Sequence, residues 1–72
     1  MTYNYDKLKG KIREIFDTQD DYARAIKRSP TSVNYKLNNK SKFTQDEISL
    51  SVEVLKINPN EIPIYFFNRV VE

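Results

Sequence analysis

Four helix-start signals divide this 72-residue chain, and they limit its fold more than any other feature. Thr18 precedes Asp20 and Asp21, Ser29 precedes Pro30, Thr44 stands three residues before Glu47, and Asn58 precedes Pro59 with Glu61 following. Ser, Thr and Asn side chains accept hydrogen bonds from the unpaired N–H groups of a first helical turn. Proline suits the first helical position because the N–H it lacks would find no intrahelical partner there. Acidic residues just inside the start meet the positive end of the helix dipole. The spacing therefore predicts a series of short helices.

Apolar periodicity fills in the segments between these signals. A first helix is expected from about Tyr5 to Phe16, with Leu8, Ile12, Ile15 and Phe16 on its inner face and residues 1–4 frayed. Gly10 lies inside it, at a cost of roughly 1 kcal/mol relative to Ala, and allows either a close helix contact or a plain surface position. A second helix is expected over 19–26, capped by Thr18 with Asp21 approximating a capping box; Tyr22, Ala23 and Ile26 face inward. Lys27 and Arg28 form the turn. Ser29 caps a third helix that Val33 and Leu37 seat in the core, leaving Thr31, Ser32, Asn34, Tyr35 and Lys36 mostly exposed. Residues 38–42 read as loop. Thr44 and Glu47 form a capping box, Phe43 staples onto Ile48, and a fourth helix over 45–56 faces the core with Ile48, Val52 and Leu55. Pro63 restricts Ile62, so the turn begun at Asn58 is expected to end there. A last short helix or ordered tail follows at Ile64–Phe67, with Tyr65 and Phe66 closing the core.

Composition agrees with an all-α chain and removes several chemistries. One glycine and three prolines are too few for a fold of many tight turns. With no cysteine and no histidine, the chain lacks a disulfide framework, a thiolate, the commonest general base and the commonest metal ligand. No glycine-rich phosphate loop is present, and Asp17, Asp20 and Asp21 are accounted for by a helix start. Neither catalysis, a cofactor nor a metal is expected. No apolar run approaches the roughly 20 residues of a spanning helix, so the expected setting is the cytoplasm.

Net charge is only +2, but its distribution is uneven. Residues 22–42 carry Arg24, Lys27, Arg28, Lys36, Lys40 and Lys42 without one acid, whereas residues 43–72 carry two basic groups against five acids. An acid-free basic block suits a phosphate backbone. It coincides with the second and third helices, whose layout over about 19–37 is that of a helix-turn-helix, one helix entering a groove and the other bracing it.

Gln19, Ala23, Ser29, Val33 and Leu37-Asn38-Asn39-Lys40 resemble the Cro and repressor amino-terminal domains of temperate phages. The opening Tyr3–Ile12 and the segment Asn58–Phe67 extend that likeness along the chain. Length and sequence are most similar to the modulator-of-repression family of lactococcal temperate phages. The resemblance implies one small five-helix domain of lambda-repressor/Cro-like fold with a short apolar C-terminal tail. It also implies an antirepressor that engages the cognate phage repressor's N-terminal domain and influences the lysis–lysogeny choice. Two positions depart from the wider family's pattern. Lys27 stands where glycine is usual, at a cost of roughly 1 kcal/mol if the backbone is left-handed. Lys36 stands where a core aliphatic is common, so its stem would lie along the core edge.

Beside a helical bundle with a purely structural or host-inhibitory role, two uses of the unit remain open on these residues: docking on the repressor domain, or reading operator DNA as an autonomous Cro-like dimer. In either case the candidate contacts are Gln19, Arg28, Thr31, Ser32, Asn34, Tyr35, Lys36, Lys40 and Lys42. On DNA, Asn34 could pair bidentately with adenine while Gln19 and the basic residues meet phosphates. The C-terminal apolar run exceeds what one face of a small domain needs, which makes Ile64, Phe67, Val70 and Val71 a candidate second interface.

Overall fold

The computed structural model describes residues 2–70. Five helices follow in order: α1 (Asp6–Phe16), α2 (Gln19–Ala25), α3 (Pro30–Leu37), α4 (Gln45–Val54) and α5 (Ile62–Phe66), the last entered through a 3-10 turn at Pro59–Glu61. The architecture is the all-α one expected.

The N-caps form where the sequence places them. Thr18, Ser29 and Thr44 each accept from the backbone N–H three residues on, and Asn58 accepts from Asn60. Only Thr44 and Glu47 complete a capping box, Glu47 Oε1 accepting from the Thr44 N–H at 2.7 Å. Asp21 does not close the equivalent loop on Thr18; its carboxylate takes Arg24 at 2.9 Å instead.

The C-termini share a less legible device. Asp17, Lys27, Asn39 and Lys56 have φ between 55° and 64° and none of these is glycine. Asp17, with ψ −46°, makes a tight turn in which Thr18 N–H donates to Phe16 C=O at 2.7 Å, whereas α2 to α4 end on a left-handed residue. After α2, Lys27 N–H bonds to Arg24 C=O and Arg28 N–H reaches Ala23 C=O. The same pair of bonds recurs after α3, from Asn39 to Lys36 and Lys40 to Tyr35, and after α4, from Lys56 to Glu53 and Ile57 to Val52. These are Schellman closures, in which a left-handed residue lets two further N–H groups satisfy orphan carbonyls.

The core gathers Tyr5, Leu8, Ile12, Tyr22, Ala23, Ile26, Val33, Leu37, Leu55, Ile57 and Phe66. Phe43 packs edge-on to both Tyr5 and Phe66, with ring centroids 5.5 and 5.2 Å apart. Phe43 and Ile48 also line one recess, in keeping with the expected staple.

Several expectations need correction. Ile15 is 39% exposed, so the inner face of α1 runs through Tyr5, Leu8 and Ile12. Of the two readings left open for Gly10, the plain surface position is the one found, with open space around it. The deepest face of α4 is Glu47, Ser51 and Leu55; Ile48 and Val52 flank it and are only half-buried. Two polar side chains occupy that face because partners elsewhere satisfy them. Ser51 Oγ donates to Glu47 C=O at 2.7 Å, which uses its one hydrogen, so the Tyr22 hydroxyl at 2.5 Å donates to Ser51. Ile62 keeps right-handed helical angles ahead of Pro63, so the 3-10 turn runs on into α5 rather than stopping. Tyr65 is half-buried beside the fully enclosed Phe66.

Residues 2–4 are not frayed. Tyr3 and Arg69 form an antiparallel bridge, Asn4 N–H donates to Asn68 C=O at 2.7 Å, and Val70 N–H donates to Thr2 C=O at 3.1 Å. The Asn39 amide then grips Tyr3 from the far side, accepting from its N–H and donating to its C=O, both at 2.9 Å. One residue thus closes α3 and clamps the paired chain ends.

Candidate functional site

The unit α2, turn, α3 presents most of the candidate contacts. Its turn, residues 26–29, buries Ile26 and uses the left-handed Lys27 to redirect the chain. Ser29 and Pro30 then start α3, which Val33 and Leu37 anchor. Thr31, Asn34 and Tyr35 are exposed on α3, and Lys40 and Lys42 are exposed in the following loop. Gln19, Ser32 and Arg28 are half-buried.

Hydrogen bonding fixes how several of these groups are offered. Asn34 Oδ1 accepts from Asn38 Nδ2 at 3.1 Å, which turns the amide over the end of α3. The Tyr35 ring is 48% exposed, with Lys40 Nζ over its face 5.5 Å from the centroid. Ammonium and ring attract through the ring quadrupole, and this holds both at the Schellman closure of α3. Thr31, Asn34, Tyr35 and Lys40 therefore make a polar ridge with a single aromatic ring.

Lys36 departs from the exposed position expected for it. It is 8% exposed, and its ammonium donates to Ser32 Oγ at 3.1 Å and lies 3.4 Å from Glu47 Oε2. Its stem runs along the core, as the substitution of a lysine for an aliphatic requires. Arg28 Nε donates to that same Glu47 oxygen at 2.6 Å, and its Nη1 donates to Lys27 C=O at 3.1 Å. Glu47 itself is 1% exposed. Burial pushes its carboxyl up, but the Thr44 N–H, the Arg28 guanidinium and the Lys36 charge outweigh this and hold it below the ordinary 4.5.

Glu47 is the residue that sequence reasoning undervalued. Its place in a capping box was evident, but not its meeting with Arg28 and Lys36. The available signal was the acid-free run 22–42, which needs a counter-charge from outside, and Glu47 is among the first acids after it. Of the six basic residues in that run, Arg24, Arg28 and Lys36 are held in ion pairs within the domain.

The candidate second interface lies near the paired chain ends. Ile64, Phe67 and Val70 are 42%, 49% and 42% exposed; Val71 is outside the described residues. Phe67 stands edge-on to Tyr3 at 6.1 Å, and together with Tyr5, Lys42, Phe43, Ile48 and Phe66 they line a recess of about 80 Å³. A second recess of about 120 Å³ lies between α1 and the start of α2, lined by Lys9, Ile12, Arg13, Asp17 and Gln19. Among the described residues, no group of acids could hold a metal ion, and no helix is long and apolar enough to cross a membrane.

Comparison with known proteins places these features in a family. The family model described as a protein of unknown function (DUF739) matches residues 1–69. No curated protein matches the chain. Among solved structures, the modulator of repression (MOR) of the temperate bacteriophage TP901-1 from Lactococcus lactis is 46% identical, with a TM-score of 0.81. The match covers 100% of this chain and 97% of that one, so it includes both the α2–α3 unit and the paired ends. The chain belongs to the DUF739 family and is a homologue of that modulator of repression.

Proposed function

We propose that this chain is a phage lysis–lysogeny switch regulator that binds the N-terminal DNA-binding domain of its cognate phage repressor. Through that contact it modulates the repressor's operator binding, as antirepressor or co-repressor according to promoter. It acts in the cytoplasm of the bacterial host and by binding rather than catalysis. The observation that carries the reading is the 46% identity, over the full chain, to a modulator of repression.

The α2–α3 face supports a protein partner. Its helix-turn-helix layout offers Thr31, Asn34 and Tyr35, while Arg28 and Lys36 are turned inward to Glu47. A polar ridge with one aromatic ring, with Arg24, Arg28 and Lys36 of the six basic residues in the run 22–42 held in ion pairs within the domain, suits a protein surface better than a phosphate backbone, whose binding rests on counterion release by cations. The alternative is an autonomous Cro-like dimer reading operator DNA with α3. It draws on the exposed Lys40 and Lys42 and on a self-complementary use of Ile64, Phe67 and Val70.

Size-exclusion chromatography with light scattering, alone and with the cognate repressor domain, separates the two, followed by an operator shift assay. A monomer that forms a complex with the repressor domain and shifts no operator alone is expected. A stable dimer that shifts operator in a salt-dependent way would overturn the proposal in favour of the alternative.

A further inference from the structure

The basic block of this chain is partly spent inside the molecule. One Glu47 oxygen faces Arg28 at 2.6 Å and Lys36 at 3.4 Å, and the other accepts from the Thr44 N–H at 2.7 Å. Three elements meet there: the turn before α3, α3 itself and the first turn of α4. The carboxylate is 1% exposed, so water does little to screen it from the two cations. Ser32 Oγ takes the Lys36 ammonium from the other side at 3.1 Å, and Ser32 stands one residue from the exposed Thr31. Both cations thus border the outer face of α3 but point away from it.

We propose that Glu47 is a positioning residue that sets the class of partner the α2–α3 face accepts: as an internal counter-anion it withholds Arg28 and Lys36 from external phosphates. Two cations that would otherwise serve a nucleic-acid backbone are held by a single buried carboxylate, which offsets one of their two charges. What the face then shows is the ridge of Thr31, Asn34 and Tyr35, whose one charge, Lys40, is drawn onto the tyrosine ring. With Glu47 neutral, Lys36 has no carboxylate to hold its ammonium in the core. Desolvating an unpaired ammonium is costly, so the long side chain swings outward past Ser32. Arg28, already part-exposed, is freed in the same step. This goes beyond the repressor-binding reading and does not depend on it.

The test is Glu47→Gln with a generic DNA duplex as probe, titrated over a range of salt concentrations. Each new phosphate contact steepens the slope of log K against log salt by about 0.9. The variant is expected to bind the duplex more tightly than the parent at low salt, with a slope steeper by about one to two such contacts. Adding Lys36→Met to Glu47→Gln should remove about one of them. A folded Glu47→Gln, checked by circular dichroism, with the parent's affinity and slope overturns the proposal. If Glu47→Gln alone does not fold, the double variant leaves no unpaired buried ammonium and still frees Arg28. Its slope must then exceed the parent's by about one contact, and an unchanged slope overturns the proposal equally. Binding of the repressor domain by the parent is measured separately; its absence would sink the proposed function and leave this inference standing.

Discussion

Replacing left-handed residues at the helix ends gives a test in which three similar substitutions have different outcomes. Lys27 and Lys56 hold φ of 60° and 55° in Schellman closures, and both side chains are exposed. A residue with a Cβ pays roughly 1–2 kcal/mol for this conformation, which glycine avoids. Glycine gives back about 0.4–1 kcal/mol through the greater freedom of its unfolded chain. Lys27→Gly and Lys56→Gly should each stabilise by about 0.5 kcal/mol, raising Tm by about 2–4 °C in a domain of this size. Asn39 has φ of 62° but a different balance. Asparagine tolerates the left-handed region, so glycine relieves little strain there. Its side chain also makes both hydrogen bonds to the Tyr3 backbone, which glycine removes. At about 0.5–1.5 kcal/mol each, and nearer the lower figure because they are exposed, their loss should destabilise by about 1–2 kcal/mol. Thermal and urea denaturation followed by far-UV circular dichroism measures all three. If the two lysine replacements lower the midpoint, or if Asn39→Gly raises it as they do, the account of these helix ends is wrong.

Three further substitutions probe other links. Gly10→Ala meets no atom within 4 Å and should stabilise α1 by about 0.5–1 kcal/mol in the same denaturation assay. Tyr22→Phe removes the hydroxyl that donates to Ser51 but leaves Ser51 bonded to Glu47 C=O, so urea denaturation should show a loss of about 1 kcal/mol. Burial pushes the Tyr22 hydroxyl up to about 12, so that loss should not vary across neutral pH. Glu47 titrates in the folded state below its ordinary 4.5, so its contribution is complete above that value and lost as pH falls through the lowered one. Acid titration of stability should therefore show a decline below 4.5 that Glu47→Gln lacks.

The helix starts were legible because capping is local. A side-chain oxygen meets an N–H two or three residues away, so Thr18, Ser29, Thr44 and Asn58 carry their own instructions. The left-handed ends were less so, since lysine at two of them hides a position that glycine would have announced. The polar side of α4 was misread for a different reason. Apolar periodicity finds a buried face only where the buried residues are apolar, and Glu47 and Ser51 are not. Among the candidate contacts, the exposed ridge of Thr31, Asn34 and Tyr35 followed from the placement of Val33 and Leu37, whereas the inward turn of Arg28 and Lys36 did not.

The sequence by itself determined the first four helices, their order, the turn between α2 and α3, and most of the core. Those features rest on contacts spanning three or four residues and on a period of 3.6. Tertiary structure alone decided that Tyr3 pairs with Arg69 under the grip of Asn39, and that Glu47 takes two cations from the block before it. Such pairings join residues far apart in the chain. A buried polar group is stable only when folding brings it a partner, and no local pattern names that partner in advance.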